Sequence, residues 1–222
     1  KQGIDGPEFR EKGSLVGHSI LITGGSSGLG KESAVALASL GARVVILTKT
    51  EGRGVAAVED IKHMSNSENV SMEVCDLTDL CSIDACAKRL LDNLEKIDVL
   101  INNAALNYYI PIAGYQTNRW VRCFKINVHA PFILSRNVLP DMKASNTPCA
   151  IVNISSGAAI GPGRGPYEGV LRHGGTMYGA TKAALERFTQ GLAEEVAECG
   201  NIAGSAVSPS RVVPTPGTVH HK

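Results

Sequence analysis

The sequence predicts a three-layer α/β fold, in which a parallel sheet is covered by helices on both faces. Short runs rich in Val and Ile, such as "RVVILT" at Arg43–Thr48, recur along the chain and alternate with helical patterns. These runs are apolar throughout, which is typical of strands buried on both faces of a parallel sheet. Right-handed crossovers between such strands give a doubly wound, Rossmann-type sheet, whose ligands bind at the carboxyl ends of the strands.

The predicted strands and helices alternate along the chain. Strands are expected at Ser19–Gly24, Arg43–Thr48, Val70–Asp76, Asp98–Ala104, Cys149–Ser156 and Ile202–Pro209. The first helix, "KESAVALASLGA", is stopped by Gly41, and the others are expected at Glu51–Met64, Asp79–Leu94, Asn118–Leu134 and Thr176–Cys199. Because no repeat or linker interrupts this order, we expect residues 1–14 to form a tail and residues 15–222 to form a single domain.

Composition narrows the class of protein. Hydrophobic residues make up 43% of the 222 residues and charged residues 19%, as is ordinary for a globular domain. The net charge is +1 and the basic residues are scattered, so we expect no nucleic-acid partner and, without a long apolar run, no membrane span. The six cysteines form no CxxC pair, so we expect reduced thiols in a cytoplasmic protein. His129 and His173 lack further ligands at suitable spacing, so we expect no metal site.

A glycine-rich turn, "TGGSSGLGK" at Thr23–Lys31, joins the first strand to the first helix. Its glycines are Gly24, Gly28 and Gly30. Glycine permits a tight turn and lets a pyrophosphate approach the backbone, while the helix N-terminus offers free N–H groups to the anion. The turn therefore predicts a dinucleotide site, although an ordinary Gly/Ser connection between strand and helix is the alternative.

The end of the second strand bears on the choice of cofactor. NAD-preferring sites place Asp or Glu there for the ribose hydroxyls, but this strand ends at Thr48 and is followed by Lys49, with Arg53 nearby. A basic residue can hold a 2′-phosphate, so the sequence favours NADP(H) over NAD(H). Alternatively, Lys49 and Arg53 are solvated surface charges that Glu51 partly cancels.

A tyrosine and a lysine lie four residues apart in the last predicted helix. Tyr178 and Lys182 therefore share one helical face. A nearby ammonium favours the phenolate, so we expect a lowered pKa that suits the phenol to proton transfer. Taken alone, such a pair is more often an ordinary surface feature of a helix.

Seven motifs occur in a fixed order at the expected strand ends and helices. They are "TGGSSGLG", "CDLTD", "NNA", "KINVHAPF", "IVNISS", "YGATKAAL" and "AVSPSRVVPTP". In this order the chain resembles the short-chain dehydrogenase/reductase family over about Leu15–Pro216.

The resemblance implies a set of catalytic residues. Tyr178 would be the general acid/base on the substrate oxygen, and Ser156 would hydrogen-bond the same oxygen. Lys182 would hold the nicotinamide ribose and lower the pKa of Tyr178. Asn127 would kink its helix and position a water in a proton relay, unless it is an ordinary polar residue of that helix.

The resemblance also implies the cofactor contacts. Asp76 would contact the adenine, although it could instead cap the helix that starts near Asp79. The expected cofactor-binding residues are Gly24, Ser26, Ser27, Gly28, Leu29, Gly30, Lys49, Asp76, Leu77, Asn103, Ala104, Tyr178, Lys182 and Pro209.

The chain departs from the family pattern in four places. Ala105 and Ser210 stand where the family usually has glycine, and the family usually continues beyond the position of Lys222. We therefore expect a domain truncated at its C-terminus. Ser156 and Tyr178 are also further apart than is usual, which predicts an inserted loop within Gly161–Gly175 at the mouth of the pocket.

The implied activity is that of an NADP(H)-preferring oxidoreductase, a homodimer or homotetramer, that interconverts an alcohol with a ketone or aldehyde. A non-catalytic dinucleotide-binding or redox-sensing module on the same fold is the first alternative. An epimerase or dehydratase is a weaker one, because the chain has no room for a separate substrate region. Tyr108, Tyr109 and Trp120 could line a substrate pocket or belong to the core or rim.

Overall fold

A computed structural model describes residues 13–160 and 175–209. Its six-stranded parallel sheet has the order β3-β2-β1-β4-β5-β6, so the doubly wound fold is confirmed. The strands are β1 (Ser19–Thr23), β2 (Arg43–Thr48), β3 (Val70–Val74), β4 (Val99–Asn102), β5 (Cys149–Ile154) and β6 (Ile202–Val207). The strand order reverses between β1 and β4, which opens a crevice at their carboxyl ends.

Helices cover both faces of this sheet. The α-helices are α1 (Gly28–Ser39), α2 (Glu51–Ser65), α3 (Leu80–Asn93), α4 (Thr117–Phe124), α5 (Ala130–Ala144) and α6 (Thr176–Val196). Successive residues of β1 point to opposite faces: Ile20 and Ile22 pack with α1 and α2, whereas Leu21 packs in the cluster that includes side chains of α3, α5 and α6. Burial on both faces explains why the strands read as continuous apolar runs.

The helix predicted at Asn118–Leu134 is the largest correction. The structure has α4, a π-helical segment at Lys125–His129, and α5, which continues to Ala144 despite an internal Pro140. Val138 and Met142 are buried on α5, and this packing compensates for the hydrogen bond that a proline cannot donate.

Five strands are shorter than predicted. β3 ends at Val74, β4 at Asn102, β5 at Ile154 and β6 at Val207, each two residues early, and β1 ends at Thr23, one residue early. Of the residues trimmed from β3 and β4, Asp76, Asn103 and Ala104 donate their N–H groups to side-chain hydroxyls, as in the bond from Asp76 to Ser82 at 3.2 Å. Cys75 still donates to the Thr48 carbonyl of β2 at 2.8 Å. These polar turns lie at the edge of the sheet where a site was expected.

Several smaller expectations can be compared with the structure. Asp79 caps α3 by accepting a hydrogen bond from the Cys81 N–H at 3.0 Å, so Asp76 is not the cap. All six cysteines are free, and four of them are buried. No helix in the described part of the chain is long and apolar enough to cross a membrane. The cytoplasmic location stays a prediction.

Candidate active site

The glycine turn after β1 has the backbone that a phosphate cradle needs. Gly24 and Gly28 adopt positive φ angles of 64° and 55°, which only glycine takes up easily. A Cβ on Gly30 would collide with the Gly24 carbonyl oxygen and lie 2.5 Å from Asn103 Nδ2. The turn is therefore closed tightly against the neighbouring strand, and no side chain at these positions shields the backbone.

The N-terminus of α1 is open to an anion. Ser27, the N-cap residue, makes no capping hydrogen bond, and the first turn carries no acidic residue. Ser26 and Leu29 are half-buried beside it, and Ser27 is exposed. Uncapped N–H groups and the helix dipole both favour a negatively charged group here, so these residues fit a dinucleotide pyrophosphate.

Asn103 ties the glycine turn to the end of β4. Its side chain donates to the carbonyls of Thr23 at 3.0 Å and Gly24 at 3.3 Å. The Thr23 hydroxyl in turn accepts from the backbone N–H groups of Asn103 and Ala104, at 3.0 and 2.9 Å. Thr23 was not among the predicted site residues, although its position at the strand end was a usable signal. Ala105 follows without a positive φ, so the family's glycine is not required there.

Lys49 and Asp76 form an ion pair at the ends of β2 and β3. Lys49 Nζ lies 3.1 Å from Asp76 Oδ2, and both side chains are partly exposed. Asp76 Oδ1 also accepts from the N–H and hydroxyl of Thr78, at 2.9 and 2.7 Å. Partial burial alone would raise the pKa of Asp76, but Thr78 and Lys49 outweigh it and hold the pKa below its usual value. The structure thus brings together two residues that were predicted separately to bind the adenosine end of the cofactor. Leu77, which follows Asp76, packs against the hydrophobic core.

Asn127 lies fully buried in the π-helical segment. Its amide holds the backbone of Leu106, accepting from the N–H at 2.8 Å and donating to the carbonyl at 2.9 Å, and it also donates to Thr181 Oγ1 at 3.0 Å. Pro131 has no N–H, so the Asn127 carbonyl lacks the usual donor four residues later and the helix widens locally. The helix is therefore irregular at Asn127, and its side chain fixes the loop after β4.

Tyr178, Ser156 and Lys182 meet where β5 ends and α6 begins. The Ser156 hydroxyl lies close enough to the Tyr178 phenol to oppose the rise in its pKa, and Lys182 Nζ lies 5.6 Å from the centroid of the Tyr178 ring. Lys182 is only 1% exposed, and its ammonium donates to the Ile154 carbonyl at 2.6 Å. Ser156 and Tyr178, which are 22 residues apart in the sequence, are therefore neighbours in the structure.

The pKa values of this cluster differ from the expectation. Burial raises the pKa of Tyr178 to about 12, Tyr109 adds to the rise, and the hydrogen bond with Ser156 opposes it. Burial lowers the pKa of Lys182 to about 8. The prediction that Lys182 lowers the pKa of Tyr178 is therefore wrong for the protein alone, because the ammonium is directed at a carbonyl and desolvation of the phenol dominates.

Buried, uncharged polar side chains are hydrogen-bonded to one another in the strands and helices that carry the cluster. Asn102 donates to Asn153 Oδ1 at 2.8 Å, and Asn153 donates to Thr189 Oγ1 at 2.8 Å. Thr181, which bonds Asn127, also donates to the Tyr178 carbonyl at 2.8 Å. The sequence analysis missed these residues as parts of the site; a polar side chain within an apolar strand or on a buried helical face was the available signal.

The remaining predicted residues are placed as follows. Pro209 is half-buried just after β6. Trp120 is 36% exposed and stacks on Phe124 with ring centroids 5.0 Å apart, so it lies at the rim. Ser210 and nearly all of the inserted loop, residues 161–174, lie outside the described residues, as do residues 1–12 of the tail. Within the described part, no three His, Cys, Asp or Glu side chains are grouped as a metal site would need.

A doubly wound sheet with a glycine cradle at its switch point defines the class of dinucleotide-binding α/β proteins. The family follows from comparison with known proteins. A family model described as short chain dehydrogenase matches residues 18–220. The chain belongs to the short chain dehydrogenase family of oxidoreductases.

Individual relatives agree with this assignment. The chain is 34% identical over 155 residues to dehydrogenase/reductase SDR family member 13 of Bos taurus, covering 70% of this chain and 40% of the relative. It is 34% identical over 205 residues to retinol dehydrogenase 12 of Mus musculus, covering 90% and 63%. The chain spans between 40% and 66% of the length of the first three curated relatives, the third being the uncharacterized oxidoreductase YhdF of Bacillus subtilis.

Solved structures are similar over most of the chain. The NADP active-site complex of Pseudomonas aeruginosa RhlG superposes with a TM-score of 0.80 at 26% identity, covering 94% of this chain and 78% of that one. A metagenomic short-chain oxidoreductase in complex with NADP gives 0.77 at 31% identity, covering 89% and 84%. Several similar structures are thus NADP complexes.

Proposed function

We propose that this protein uses NADP(H) to interconvert an alcohol and a carbonyl compound, with Tyr178 as the general acid/base. The observation that carries the proposal is the cluster of Tyr178, Ser156 and buried Lys182 at the carboxyl edge of the sheet. The cluster lies on the same sheet edge as a glycine cradle that fits a dinucleotide. Tyrosine and serine hydroxyls can both hydrogen-bond one substrate oxygen, as proton transfer to that oxygen requires.

The cofactor would be held by residues from both halves of the sheet. The cradle of Gly24, Gly28 and Gly30 fits the pyrophosphate, and Lys49 with Asp76 fits the adenosine end. The nicotinamide supplies or accepts the hydride when it is bound. Lys182 would donate to a ribose hydroxyl; its ammonium lies beside the Tyr178 ring, which supports this role.

The protein's own residues handle the proton. With a pKa of about 12, the Tyr178 phenol is protonated near neutral pH and can donate its proton to a carbonyl oxygen in the direction of reduction. Ser156 stabilises the same oxygen by donating a hydrogen bond. Asn127 positions Leu106, and its own carbonyl, which Pro131 cannot pair, is the atom best suited to hold a relay water.

The preference for NADP(H) rests on Lys49 and on similar structures that are NADP complexes. We also propose a homodimer or homotetramer in the cytoplasm. The exposed Phe132 on α5 supports self-association, because it is 47% exposed and packs edge-on against Phe188 of α6. Sedimentation equilibrium of the purified chain tests the oligomeric state.

The direct test is Tyr178→Phe, assayed by oxidation of NADPH with a panel of ketones and aldehydes. Removing one hydroxyl should lower kcat by about a thousandfold, since general acid catalysis is worth roughly 10²–10⁴ in rate. NADPH affinity should fall far less than kcat, and the circular dichroism spectrum should stay unchanged. Tyr115→Phe is the matched control, because the Tyr115 hydroxyl bonds Cys123 Sγ instead. A Tyr178→Phe enzyme with full activity would show that the role belongs to another residue.

A further inference from the structure

A second cluster lies beside the candidate active site, in the loop after β4 and the first turns of α4. We propose that the cavity lined by Tyr108, Gln116, Asn118, Arg119 and Arg122 binds a carboxylate or phosphate of the substrate, so that the substrates are anionic carbonyl compounds. The proposal rests on the proposed function and names the substrate class for it. We call this cavity the arginine cavity.

The arginine cavity has a volume of about 490 Å³ and is open to solvent. Both guanidinium groups contact the same aromatic ring. The Arg119 guanidinium carbon lies 5.1 Å from the centroid of the Tyr108 ring, and Arg122 Nη1 donates to the Tyr108 hydroxyl at 3.4 Å. Tyr108 thus orients two guanidinium groups, each of which can bind a planar carboxylate or a phosphate with paired donors.

No acidic side chain among the described residues lines this cavity. Its lining holds two cations, two amides and a phenol, and no carboxylate. Among the described residues, Arg119 and Arg122 take part in none of the ion pairs, whereas Arg89 and Arg136 are each paired with an acidic side chain. Two unpaired positive charges that share one cavity favour a negatively charged ligand.

The start of α4 adds to this positive potential. Gln116 is the N-cap residue and makes no capping hydrogen bond, and the first turn of α4 carries no acidic side chain. The helix dipole therefore places partial positive charge at the same cavity. The same open N-terminus occurs at α1, where we place the cofactor pyrophosphate.

The chain connects the arginine cavity to the catalytic cluster within a few residues. Leu106 is held by Asn127, and Tyr109 lies close enough for its charge to act on the Tyr178 phenol. Tyr108 is adjacent to Tyr109, and consecutive Cα atoms are only about 3.8 Å apart. In this arrangement a small substrate would place its carbonyl at Tyr178 and its acidic group at the arginines.

Asn107 is an independent sign that a polar ligand belongs here. Both its side-chain oxygen and nitrogen are buried, and neither has a hydrogen-bond partner in the described structure. Buried amides are normally paired, because an unpaired one loses its hydration without compensation. Asn107 follows Leu106, which Asn127 holds, and precedes Tyr108 of the arginine cavity, so it belongs to the segment that joins the two sites.

The test compares two matched ketones, 4-acetylbenzoate and 4-acetylbenzamide, as substrates for NADPH oxidation. We expect the wild-type kcat/KM to favour the acid at least tenfold, and raising the ionic strength to reduce this preference. In the double variant Arg119→Gln/Arg122→Gln the preference should fall below about threefold. Arg43→Gln, which removes an exposed arginine at the opposite end of the sheet, should keep it. 4-Acetylphenyl phosphate, tested in parallel, distinguishes a phosphate site from a carboxylate site.

Equal kcat/KM for acid and amide in the wild type, or a preference that survives the double substitution, would overturn the arginine cavity as the anion site while leaving the oxidoreductase intact. Calorimetric titration of 4-acetylbenzoate into the protein with NADP+ provides a readout without turnover. If the wild type binds 4-acetylbenzoate and the double variant does not, the arginine cavity is supported even when no ketone is reduced. In that case the proposed function fails and the anion site stands.

Discussion

The two halves of the sheet edge use different physical means. The half formed by β1, β2 and β3 presents bare backbone at Gly24 and Gly30 and a partly exposed ion pair between Lys49 and Asp76. The half formed by β4, β5 and β6 buries uncharged polar side chains around one cation, Lys182. The first half carries a partly exposed ion pair that can exchange partners, whereas the second half is buried and held by hydrogen bonds.

The two halves differ in the free-energy cost of holding their charged groups. Exposed ion pairs contribute roughly 0–1 kcal/mol, so Lys49 can exchange Asp76 for another anion at little cost. A buried ammonium is expensive, and burial accordingly lowers the pKa of Lys182 to about 8. A buried, strongly shifted charge marks a functional-site candidate, so we propose that the second half performs the chemistry and the first half binds the cofactor.

Replacing Lys182 should give the largest effect. Lys182→Met keeps the length of the side chain, and we expect it to lower kcat at least a hundredfold, because the ammonium beside Tyr178 is lost. The same variant should be more stable at pH 7 by about 1–3 kcal/mol. Removing the buried charge is stabilising, because each unit of pKa shift corresponds to about 1.4 kcal/mol, and loss of the bond to the Ile154 carbonyl offsets part of this gain.

The sign of this stability gain depends on pH. The folded-state pKa of about 8 lies below the ordinary 10.5, so the unfolded chain holds the proton more tightly. Wild-type stability is therefore lowest below pH 8 and should rise between about pH 8 and 10.5, where the advantage of Lys182→Met disappears. Urea unfolding at pH 7 and 10 measures this. Lys88→Met, on the exposed face of α3, should show no such pH dependence; equal gains at both pH values would contradict the assignment.

The glycine cradle should give the next largest effect. Gly30→Ala places a methyl group against the Gly24 carbonyl oxygen and 2.5 Å from Asn103 Nδ2, so the turn has to open. We expect a loss of about 1–3 kcal/mol in the free energy of unfolding and at least tenfold weaker NADPH binding. Gly52→Ala is the control: nothing lies within 4 Å of its Cβ, and alanine is the better helix former. Unchanged NADPH affinity in Gly30→Ala would place the cofactor elsewhere.

The exposed ion pair should give the smallest effect. Lys49→Gln removes one positive charge at the end of β2, so the KM for NADPH should rise several-fold to tenfold while the KM for NADH changes little. The control is Lys62→Gln, which removes the α2 lysine of the exposed ion pair with Glu68 and should change neither KM value. Parallel increases in both KM values would mean that Lys49 does not read the 2′-phosphate.

Local patterns were sufficient for most of the fold. The apolar runs identified all six strands, and their order along the chain identified the edge where the polar residues meet. Tyr178 and Lys182 were recognisable because four residues make one helical turn. The glycine turn was recognisable because its spacing reports a backbone requirement that no other residue meets.

Tertiary contacts account for what was missed. In the π-helical segment Lys125–His129, the Asn127 side chain holds Leu106, a contact across 21 residues that no periodicity contains. The rise in the pKa of Tyr178 comes from burial, and the orientation of Lys182 comes from a carbonyl 28 residues away. Pro131 was visible in the sequence four residues after Asn127, and its missing donor was a sign of the irregular helix.

The bonds between Asn103 and the β1 turn have a consequence for how the protein folds. They join residues 79 and 80 positions apart, and β1 pairs with β4 across an interval of the same size. Closing so long a loop is slow compared with forming a hairpin or helix. The cradle therefore takes shape only after the first three strands and the fourth have docked, and an amide such as that of Asn103 should be among the last to gain protection from hydrogen exchange during refolding.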